Sequence, residues 1–399
     1  MKRQTLHLKA PDNWVNDPNG FIYYKGYYHL FYQYFPYEPR WGTMHWGHAV
    51  SSDLVTWEHK GLALYPITRA DQNGCFSGSA IEEDGKLYLV YTGVCYEVVN
   101  PDDPHSCLNE QFESAQLMIS SEDGYNFDNE HGKEMIISPV TDPSIGDRTH
   151  TRDPKVWRGE DAWYLILGST VEEKYGEVLM LSAMKLLPDH VKERNQSICF
   201  PVTFDEASCR LQIPDAYQYL DYGLDLYAPQ TTLDKDGLRT MIAWVRMPKV
   251  TEEGWIGMFC SPRVVDVENG HIFFRLHPNI RNAYSRAVRN VKDVSDDGYM
   301  ASFDLEDGET ADIGGFIISR KGNSIVTDRS SVYPAFEGAH LISETPELKG
   351  GCHLDVLVDP HLIEVYINDG EYVISNAVYD LGDKIRCDKD KDILLYTTA

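Results

Sequence analysis

Two short segments of the chain place an aspartate beside a proline in a setting suited to chemistry. Asp17 lies in residues 14–20 (Trp-Val-Asn-Asp-Pro-Asn-Gly), and Asp153 lies in residues 151–154 (Thr-Arg-Asp-Pro). Each segment alone is explained equally well as a tight turn, because Asp-Pro and Asn-Gly are turn formers. Both precede similar strand–turn–strand units, so equivalent strand ends would bring two carboxylates and the Arg152 guanidinium together. Paired carboxylates suit glycosidic bond cleavage, in which one attacks or steadies the anomeric carbon and another protonates the leaving oxygen.

The elements that must position these aspartates are short antiparallel strands. The first two-thirds of the chain alternates apolar and aromatic runs with turn residues, which is the pattern of β-hairpins. The hairpins span residues 21–32, 79–91, 154–167 and 229–244. With Asp17, Ser79, Asp153 and Pro229 as marks, the units recur at intervals of 62, 74 and 76 residues. This loose repeat predicts the blades of a β-propeller, with a β-sandwich as the structural alternative.

The last part of the chain has a different pattern. From about residue 285, Asp/Gly turns separate shorter strands at the spacing that is typical of a sandwich. The boundary is expected near Asn282, without a long linker. We therefore predict an all-β protein in two domains, a β-propeller catalytic domain over 1–282 and a β-sandwich domain over 283–399.

Composition limits the classes of partner. The 36 Lys+Arg residues against 62 Asp+Glu leave a net charge of −26, which repels nucleic acid at long range. The 25 Tyr, 14 Phe and 8 Trp suit β-structure and the flat faces of sugar rings. No run approaches the roughly 18 apolar residues of a membrane helix. We therefore expect a small-molecule sugar substrate, no nucleic acid and no membrane partner.

The cysteines and histidines give no sign of a metal site or of a cofactor. The eight cysteines form no CxxC pair and are too sparse for a disulfide framework, so free thiols are expected. His45 and His48 lack a third ligand at a convincing spacing, which favours structural histidines. The first nine residues carry charge but no apolar run. Together these features predict a cytoplasmic protein without metal or cofactor.

Four ordered motifs resemble glycoside hydrolase family 32, the family of invertases, sucrose-6-phosphate hydrolases and fructanases. They occupy residues 14–20, 76–79, 152–154 and 221–231, and residues 363–371 look like the C-terminal sandwich of that family. The resemblance implies a five-bladed propeller joined to a sandwich, and retaining cleavage of β-fructofuranosides such as sucrose or fructo-oligosaccharides. It makes Asp17 the nucleophile and Asp153 the transition-state stabiliser. It also implies fructose contacts for Asn16, Gln33, Trp41, Phe76, Ser77 and Arg152.

One part of the family pattern is missing from this chain. The family places its general acid/base Glu in a Glu-Cys motif between the Arg-Asp-Pro corner and the Asp-Tyr-Gly run, and this sequence contains no Glu-Cys pair. Only 68 residues separate Asp153 from Asp221. The first two hairpin units are followed by an outer-strand signature, at residues 51–57 and 120–127, that the third unit lacks. We therefore expect an incomplete blade, with the defect between residues 168 and 215.

Other glutamates near the gap are expected to be solvated surface charges. They are Glu172, Glu173, Glu177 and Glu193. Loss of a general acid costs on the order of 10²–10⁴-fold in rate without removing the binding site. Three readings therefore stay open: an impaired β-fructofuranosidase, a catalytically inactive fructoside-binding homologue, and a truncated product that folds poorly. The sequence does not distinguish sucrose, sucrose 6-phosphate and fructan as substrates, nor does it decide the oligomeric state.

Overall fold

Regular structure in this chain is almost entirely β-strand. The computed structural model describes residues 3–159, 162–171, 175–179, 197–212, 216–223, 225–290, 294, 298–334, 336–388 and 393–398. Within them the prediction of an all-β protein, with a propeller followed by a sandwich, is confirmed.

The first blade is an antiparallel meander near the N-terminus. Its strands are β1 (Arg3–Thr5), β2 (Asn13–Tyr24), β3 (Tyr27–Phe35), β4 (His45–Ser51) and β5 (Thr56–Leu64). The sheet order is β1-β5-β4-β3-β2. Lys25 and Gly26 join β2 to β3 with positive φ angles of 47° and 89°. A two-residue turn with both residues in the left-handed region matches the twist of the flanking strands.

The second blade repeats the meander and carries a small extra hairpin. Its strands are β6 (Gly74–Glu83), β7 (Lys86–Tyr96), β8 (Val99–Asn100), β9 (Asp103–Cys107), β10 (Phe112–Ser121) and β11 (Glu134–Ile137), with a 3-10 turn at Leu108–Glu110. The sheet order is β11-β10-β7-β6, and β8 pairs only with β9.

The third sheet has three described strands, and short pairs follow it. The strands are β12 (Arg152–Arg158), β13 (Trp163–Val171), β14 (Tyr175–Leu179), β15 (Ile198–Cys199), β16 (Thr203–Asp205), β17 (Arg210–Gln212) and β18 (Gln218–Tyr219). Sheet order β12-β13-β14 is followed by the separate pairs β15-β18 and β16-β17. The predicted blade defect between residues 168 and 215 falls largely on 172–174, 180–196 and 213–215, which lie outside the described residues. It stays a prediction.

The last blade closes the ring onto the first. Its strands are β19 (Leu226–Leu233), β20 (Arg239–Val245), β22 (Met258–Phe259), β23 (Arg263–Glu268) and β24 (His271–Leu276), and the helix α1 (Pro278–Ala283) follows them. The short strand β21 (Trp255–Ile256), between β20 and β22 in the chain, joins the sheet of the first blade. Strand β21 pairs with β2 in parallel, and the Phe259 amide donates to the Leu8 carbonyl at 2.9 Å. The chain ends of the propeller are thus joined to each other.

The inside of the ring is formed by β2, β6, β12 and β19, one strand from each of these blades. Strand β6 lies against both β2 and β12, and β19 lies against β2. Lys155 on β12 donates to the Gln230 side chain and to the Thr231 carbonyl on β19, at 3.3 Å each. Among the described residues, four inner strands thus surround one axis, as in a propeller and unlike a sandwich.

The C-terminal part is a two-layer sandwich. Its strands are β25 (Arg286–Val288), β26 (Tyr299–Asp304), β27 (Thr310–Ile313), β28 (Phe316–Lys321), β29 (Ser324–Asp328), β30 (Ile342–Glu344), β31 (His353–Asp359), β32 (Leu362–Ile367), β33 (Tyr372–Ala377), β34 (Ile385–Cys387) and β35 (Leu394–Thr397). One sheet runs β25-β35-β26-β31-β32-β33 and the other β30-β29-β28-β27-β34. Ile318, Val356 and Val365 are among the fully buried side chains between the layers.

The junction of the sandwich with the propeller is polar and buried. Arg263 pairs with Asp221 at 2.9 Å and with Glu364 at 2.7 Å, and all three side chains are at most 2% exposed. Asp221 also accepts from the Ser375 amide and hydroxyl. At Gly223 a Cβ would lie 1.9 Å from the Ser375 carbonyl oxygen. The Asp-Tyr-Gly segment of the sequence therefore holds the two parts together.

Within the described part of the chain, no helix has both the length and the apolar character required to cross a membrane.

Candidate active site

The four inner strands are interrupted in the same way at the same level. In each, two residues stand opposite a single residue of the neighbouring strand, which is the geometry of a β-bulge. The bulged pairs are Asn16–Asp17 in β2, Phe76–Ser77 in β6, Asp153–Pro154 in β12 and Ala228–Pro229 in β19. Each pair lies near the first residue of its strand. Because a bulge frees residues from the ladder and redirects their side chains, these residues gather at one end of the ring.

A closed circuit of hydrogen bonds surrounds Asp17. The Ser77 hydroxyl donates to Asp17 Oδ2 at 2.6 Å, and the Asn16 amide donates to Asp17 Oδ1 at 3.1 Å. Asn16 also donates to Gln33 Oε1 at 2.8 Å, and the Gln33 amide donates to Ser77 Oγ at 2.7 Å. Trp14 Nε1 fixes the Asn16 carbonyl at 2.8 Å. Three of the residues to which the sequence assigned sugar contacts therefore orient the carboxylate.

The charge state of Asp17 reflects two opposing effects. Burial raises the pKa of the Asp17 carboxyl. The hydrogen bonds from Ser77 and Asn16, together with the positive charge of Arg152, oppose that rise because they stabilise the anion. An ionised carboxylate held by donors on both oxygens is oriented for attack on an electrophilic carbon.

Asp153 lies on β12, which is separated from the Asp17 strand β2 by β6, in a strained backbone conformation. Its φ angle is +63°, in the left-handed region that non-glycine residues seldom adopt. The Asp153 amide donates to Thr92 Oγ1 at 3.0 Å, and Thr92 in turn donates to Gln116 at 2.8 Å. Thr92 is the residue opposite the Phe76–Ser77 bulge. The second blade thus holds the Asp153 backbone in place.

We call the end of the ring where the bulged pairs gather the mouth. The pKa of Asp153 is raised to about 6, chiefly by desolvation of its carboxyl in the mouth. Arg152, whose Nε lies 3.7 Å from Asp153 Oδ2, opposes the rise, whereas the negative charge of Asp17 adds to it. Solvent reaches 53% of the Asp153 side chain and screens part of these effects. The two carboxylates share one electrostatic environment.

Two aromatic side chains, Trp41 and Phe76, line the mouth beside Asp17 and Asp153. The Trp41 ring meets Phe76 edge to face, with centroids 5.7 Å apart, and Trp41 is 40% exposed. Arg40 donates to the Trp41 carbonyl and forms a two-pronged ion pair with Asp103 of the β8–β9 hairpin. Exposed aromatic faces at a polar site fit the C–H surfaces of a sugar ring. The structure thus brings all eight residues with predicted roles to the same end of the ring.

The sequence did not predict a role for two residues of the mouth, Thr92 and Tyr227. Thr92 carries no local signal, because its role depends on a strand from another blade. Tyr227 lies within the 221–231 motif and directly precedes the β19 bulge, as Arg152 precedes the β12 bulge. The charges of Asp17 and Asp153 both contribute to a raised pKa of Tyr227, after burial, and those of Arg246 and Arg152 oppose it.

The two candidate histidines contact other groups of the fold. His45 Nδ1 contacts the Thr43 carbonyl at 2.9 Å, and His48 Nε2 contacts His29 Nδ1 at 3.0 Å, so both histidines have partners in the fold. No group of three or more potential metal-ligating side chains occurs among the described residues. Glu172, Glu173 and Glu193 lie outside the described residues, as does the Glu177 side chain. The prediction that they are solvated stays untested.

Family models match most of the chain. The model for the glycosyl hydrolases family 32 N-terminal domain matches residues 7–188 and 173–278 in two overlapping segments. The model for the glycosyl hydrolases family 32 C terminal matches residues 297–396.

Characterised relatives match over a similar extent. A raffinose invertase of Escherichia coli is 28% identical over 446 positions, covering 95% of this chain and 90% of the relative. A sucrose-6-phosphate hydrolase of Escherichia coli is 29% identical over 441 positions, covering 94% and 88%. An alignment of 446 positions exceeds this chain of 399 residues by 47, so at least that many positions of the invertase face gaps here.

Solved structures give the same picture. A variant of the Bombyx mori GH32 beta-fructofuranosidase, in complex with sucrose, superposes with a TM-score of 0.80 and 25% identity, covering 100% of this chain and 94% of that one. The sucrose-6-phosphate hydrolase of Lactobacillus gasseri has a TM-score of 0.79 at 22% identity, covering 99% and 93%, and shares the fold.

Proposed function

This chain belongs to glycosyl hydrolase family 32, and from that premise we propose that it is a retaining β-fructofuranosidase of sucrose or short fructo-oligosaccharides, slowed by the loss of its general acid/base. The observation that carries the proposal is the hydrogen-bond circuit that holds Asp17 through Ser77 and Asn16. Relatives named raffinose invertase and sucrose-6-phosphate hydrolase support this substrate class.

In the proposed reaction, Asp17 attacks the anomeric carbon of the fructosyl unit. The bond from that carbon to the leaving oxygen breaks, and a fructosyl ester of Asp17 forms. Water then hydrolyses the ester with net retention of configuration. Ser77 and Asn16 keep the carboxylate in line for attack, so their bonds reduce the reorganisation that the attack requires.

Asp153 and its neighbours are assigned to the fructose unit. The Asp153 carboxylate accepts hydrogen bonds from hydroxyls of the fructose ring and stabilises the positive charge that develops at the anomeric carbon. Arg152 balances the charge of the two carboxylates, and it lies 3.7 Å from Asp153. Gln33, Trp41 and Phe76 complete the proposed sugar contacts.

The slow rate follows from the sequence. No Glu-Cys pair is present, and the gaps in the alignments with relatives support a lost segment. The same observation favours a second candidate function, a fructoside-binding protein that keeps the pocket without turning sugar over. Incubation of the purified, folded protein with sucrose and with 1-kestose distinguishes the two functions. Turnover releases glucose and fructose from sucrose, and sucrose and fructose from 1-kestose. Binding without release would support the second function.

The domain division and the compartment belong to the same proposal. A boundary between 282 and 283 is supported by the family models, which stop at 278 and resume at 297. A cytoplasmic location is supported by the eight cysteines, all of which are free thiols. Free thiols are typical of proteins from reducing compartments.

A further inference from the structure

The proposed function leaves open which group protonates the leaving oxygen. A general acid must carry a proton at working pH and must lie at the same end of the ring as Asp17. Asp17 itself is the nucleophile, and Asp153 is assigned to the ring hydroxyls. The guanidinium of Arg152 holds its proton too tightly to donate it.

Tyr227 occupies the right place in the fold. It precedes the bulge of β19, the inner strand that follows the shortened stretch of chain after β12. Its side chain is 38% exposed, so it reaches the solvent side of the mouth. Within the described part of the chain, no hydrogen bond occupies its hydroxyl. The hydroxyl is therefore available to a ligand.

The charges around Tyr227 come from three elements. Burial, and after it the negative charges of Asp17 on β2 and Asp153 on β12, raise the pKa of the Tyr227 phenol above its ordinary value, so the phenol carries its proton at neutral pH. Arg246, whose guanidinium lies 5.6 Å from the centre of the Tyr227 ring, and Arg152 act in the opposite direction. The two arginines would stabilise a phenolate once it forms.

We propose that Tyr227 is the proton donor to the leaving oxygen in this chain. The inference rests on the proposed function. As Asp17 attacks, the bond from the anomeric carbon to the leaving oxygen breaks, and the Tyr227 hydroxyl transfers its proton to that oxygen. The products of this step are the fructosyl ester, the released sugar (glucose when the substrate is sucrose) and the Tyr227 phenolate. The phenolate then takes a proton from the water that attacks the ester, which restores both residues.

Formation of the ester helps this step. The esterified Asp17 is neutral, so one of the two negative charges that disfavour the phenolate disappears as the phenolate forms. The positive charges of Arg246 and Arg152 remain. The Tyr227 phenolate is therefore most stable in the fructosyl-ester intermediate, which is the state in which the mechanism forms it.

The test is Tyr227→Phe, which keeps the ring and its contact with Arg246. Sucrose needs a proton donor, whereas 4-nitrophenyl β-fructofuranoside has a leaving group that departs without one. We expect sucrose turnover to fall by about 100-fold or more, and the burst rate with the nitrophenyl substrate to change by less than about threefold. Azide, which attacks the ester without losing a proton, should restore steady-state turnover of the nitrophenyl substrate.

Tyr125→Phe is the matched control, because Tyr125 is also 38% exposed but packs on His29 at the other end of the strands. It should leave both substrates unaffected. Equal losses on sucrose and on the nitrophenyl substrate in Tyr227→Phe would overturn the inference, since they indicate a structural role. Sucrose turnover that is unchanged in Tyr227→Phe would overturn it as well, and would leave the proposed function standing. Absence of any burst from folded wild-type protein would instead overturn the proposed function.

Discussion

The Ser77 hydroxyl donates to Asp17 Oδ2 at 2.6 Å, and this one bond links the bulges of two neighbouring inner strands. The residues are 60 positions apart in the chain. The bond favours the ionised carboxylate, so it lowers the pKa of Asp17, and it also fixes the orientation of the carboxylate oxygen atoms.

Ser77→Ala should therefore impair ester formation. A hydrogen bond to a charged group is worth about 1.5–3 kcal/mol, which corresponds to roughly a 10- to 100-fold loss in the burst rate with an activated fructoside. Loss of the bond also raises the pKa of Asp17, so the acidic limb of the pH–rate profile should move to higher pH. Stopped-flow measurements from pH 4 to 8 follow both effects. Ser302→Ala, in the sandwich, is the control, and an unshifted limb in Ser77→Ala would contradict the assignment.

The leaving group should decide how fast this protein works. This protein should turn over fructosyl fluoride or an aryl fructoside far faster than sucrose. The ratio of the two rates should be much larger than in a family member that keeps the Glu-Cys motif. The fructosyl ester should accumulate, because its hydrolysis also lacks the Glu that serves as base in the family. Azide should speed the release of the fructosyl group. Mass spectrometry of the quenched enzyme detects the ester.

Asp17→Asn supplies the control for the ester. It should abolish both the burst and the azide effect while leaving the fold intact by circular dichroism. Sucrose cleavage by the wild type at the usual rates of about 1–10³ per second would instead indicate an efficient acid in the chain.

The pKa of about 6 at Asp153 predicts a pH dependence for the site. Because the proposed role needs the anion, kcat/KM for fructosides should fall as the pH drops below 6. The stability effect has the opposite sign: the folded state binds the proton more tightly than the unfolded chain, so ionisation of Asp153 between about pH 4 and 6 destabilises the fold. Asp153→Asn should raise Tm at pH 7 and lower activity, as measured by calorimetry and by burst kinetics. A lower Tm would contradict this account.

The junction of the two domains should tolerate no side chain at Gly223. A Cβ there would lie 1.9 Å from the Ser375 carbonyl oxygen, so strand β33 would have to move. Gly223→Ala should reduce the free energy of unfolding by about 2–4 kcal/mol. Gly350→Ala, where no atom lies within 4 Å, is the matched control and should change it by at most about 1 kcal/mol. Differential scanning calorimetry compares the unfolding transitions of the two variants. Equal unfolding temperatures would show that the junction accommodates the added methyl group.

The sequence by itself determined the local elements and the chemistry at the strand entrances. Alternating apolar residues and two-residue turns such as Lys25-Gly26 act over a few positions, so the hairpins could be predicted. The Asp-Pro corners at Asp17 and Asp153 could be predicted for the same reason, and the absence of a Glu-Cys pair is a property of the sequence alone.

The tertiary structure decided everything that depends on contacts between blades and domains. Thr92 fixes the Asp153 amide across 61 positions, and no local pattern marks it. The Asp221 segment resembled part of a family motif with no assigned role, and the structure places its carboxylate in the junction with Ser375, 154 positions away. Tyr227 gained its place beside two carboxylates only when the ring brought β2, β12 and β19 together. Hairpin formation is governed by local backbone preference, whereas these pairings arise from burial and charge between segments that the chain keeps far apart.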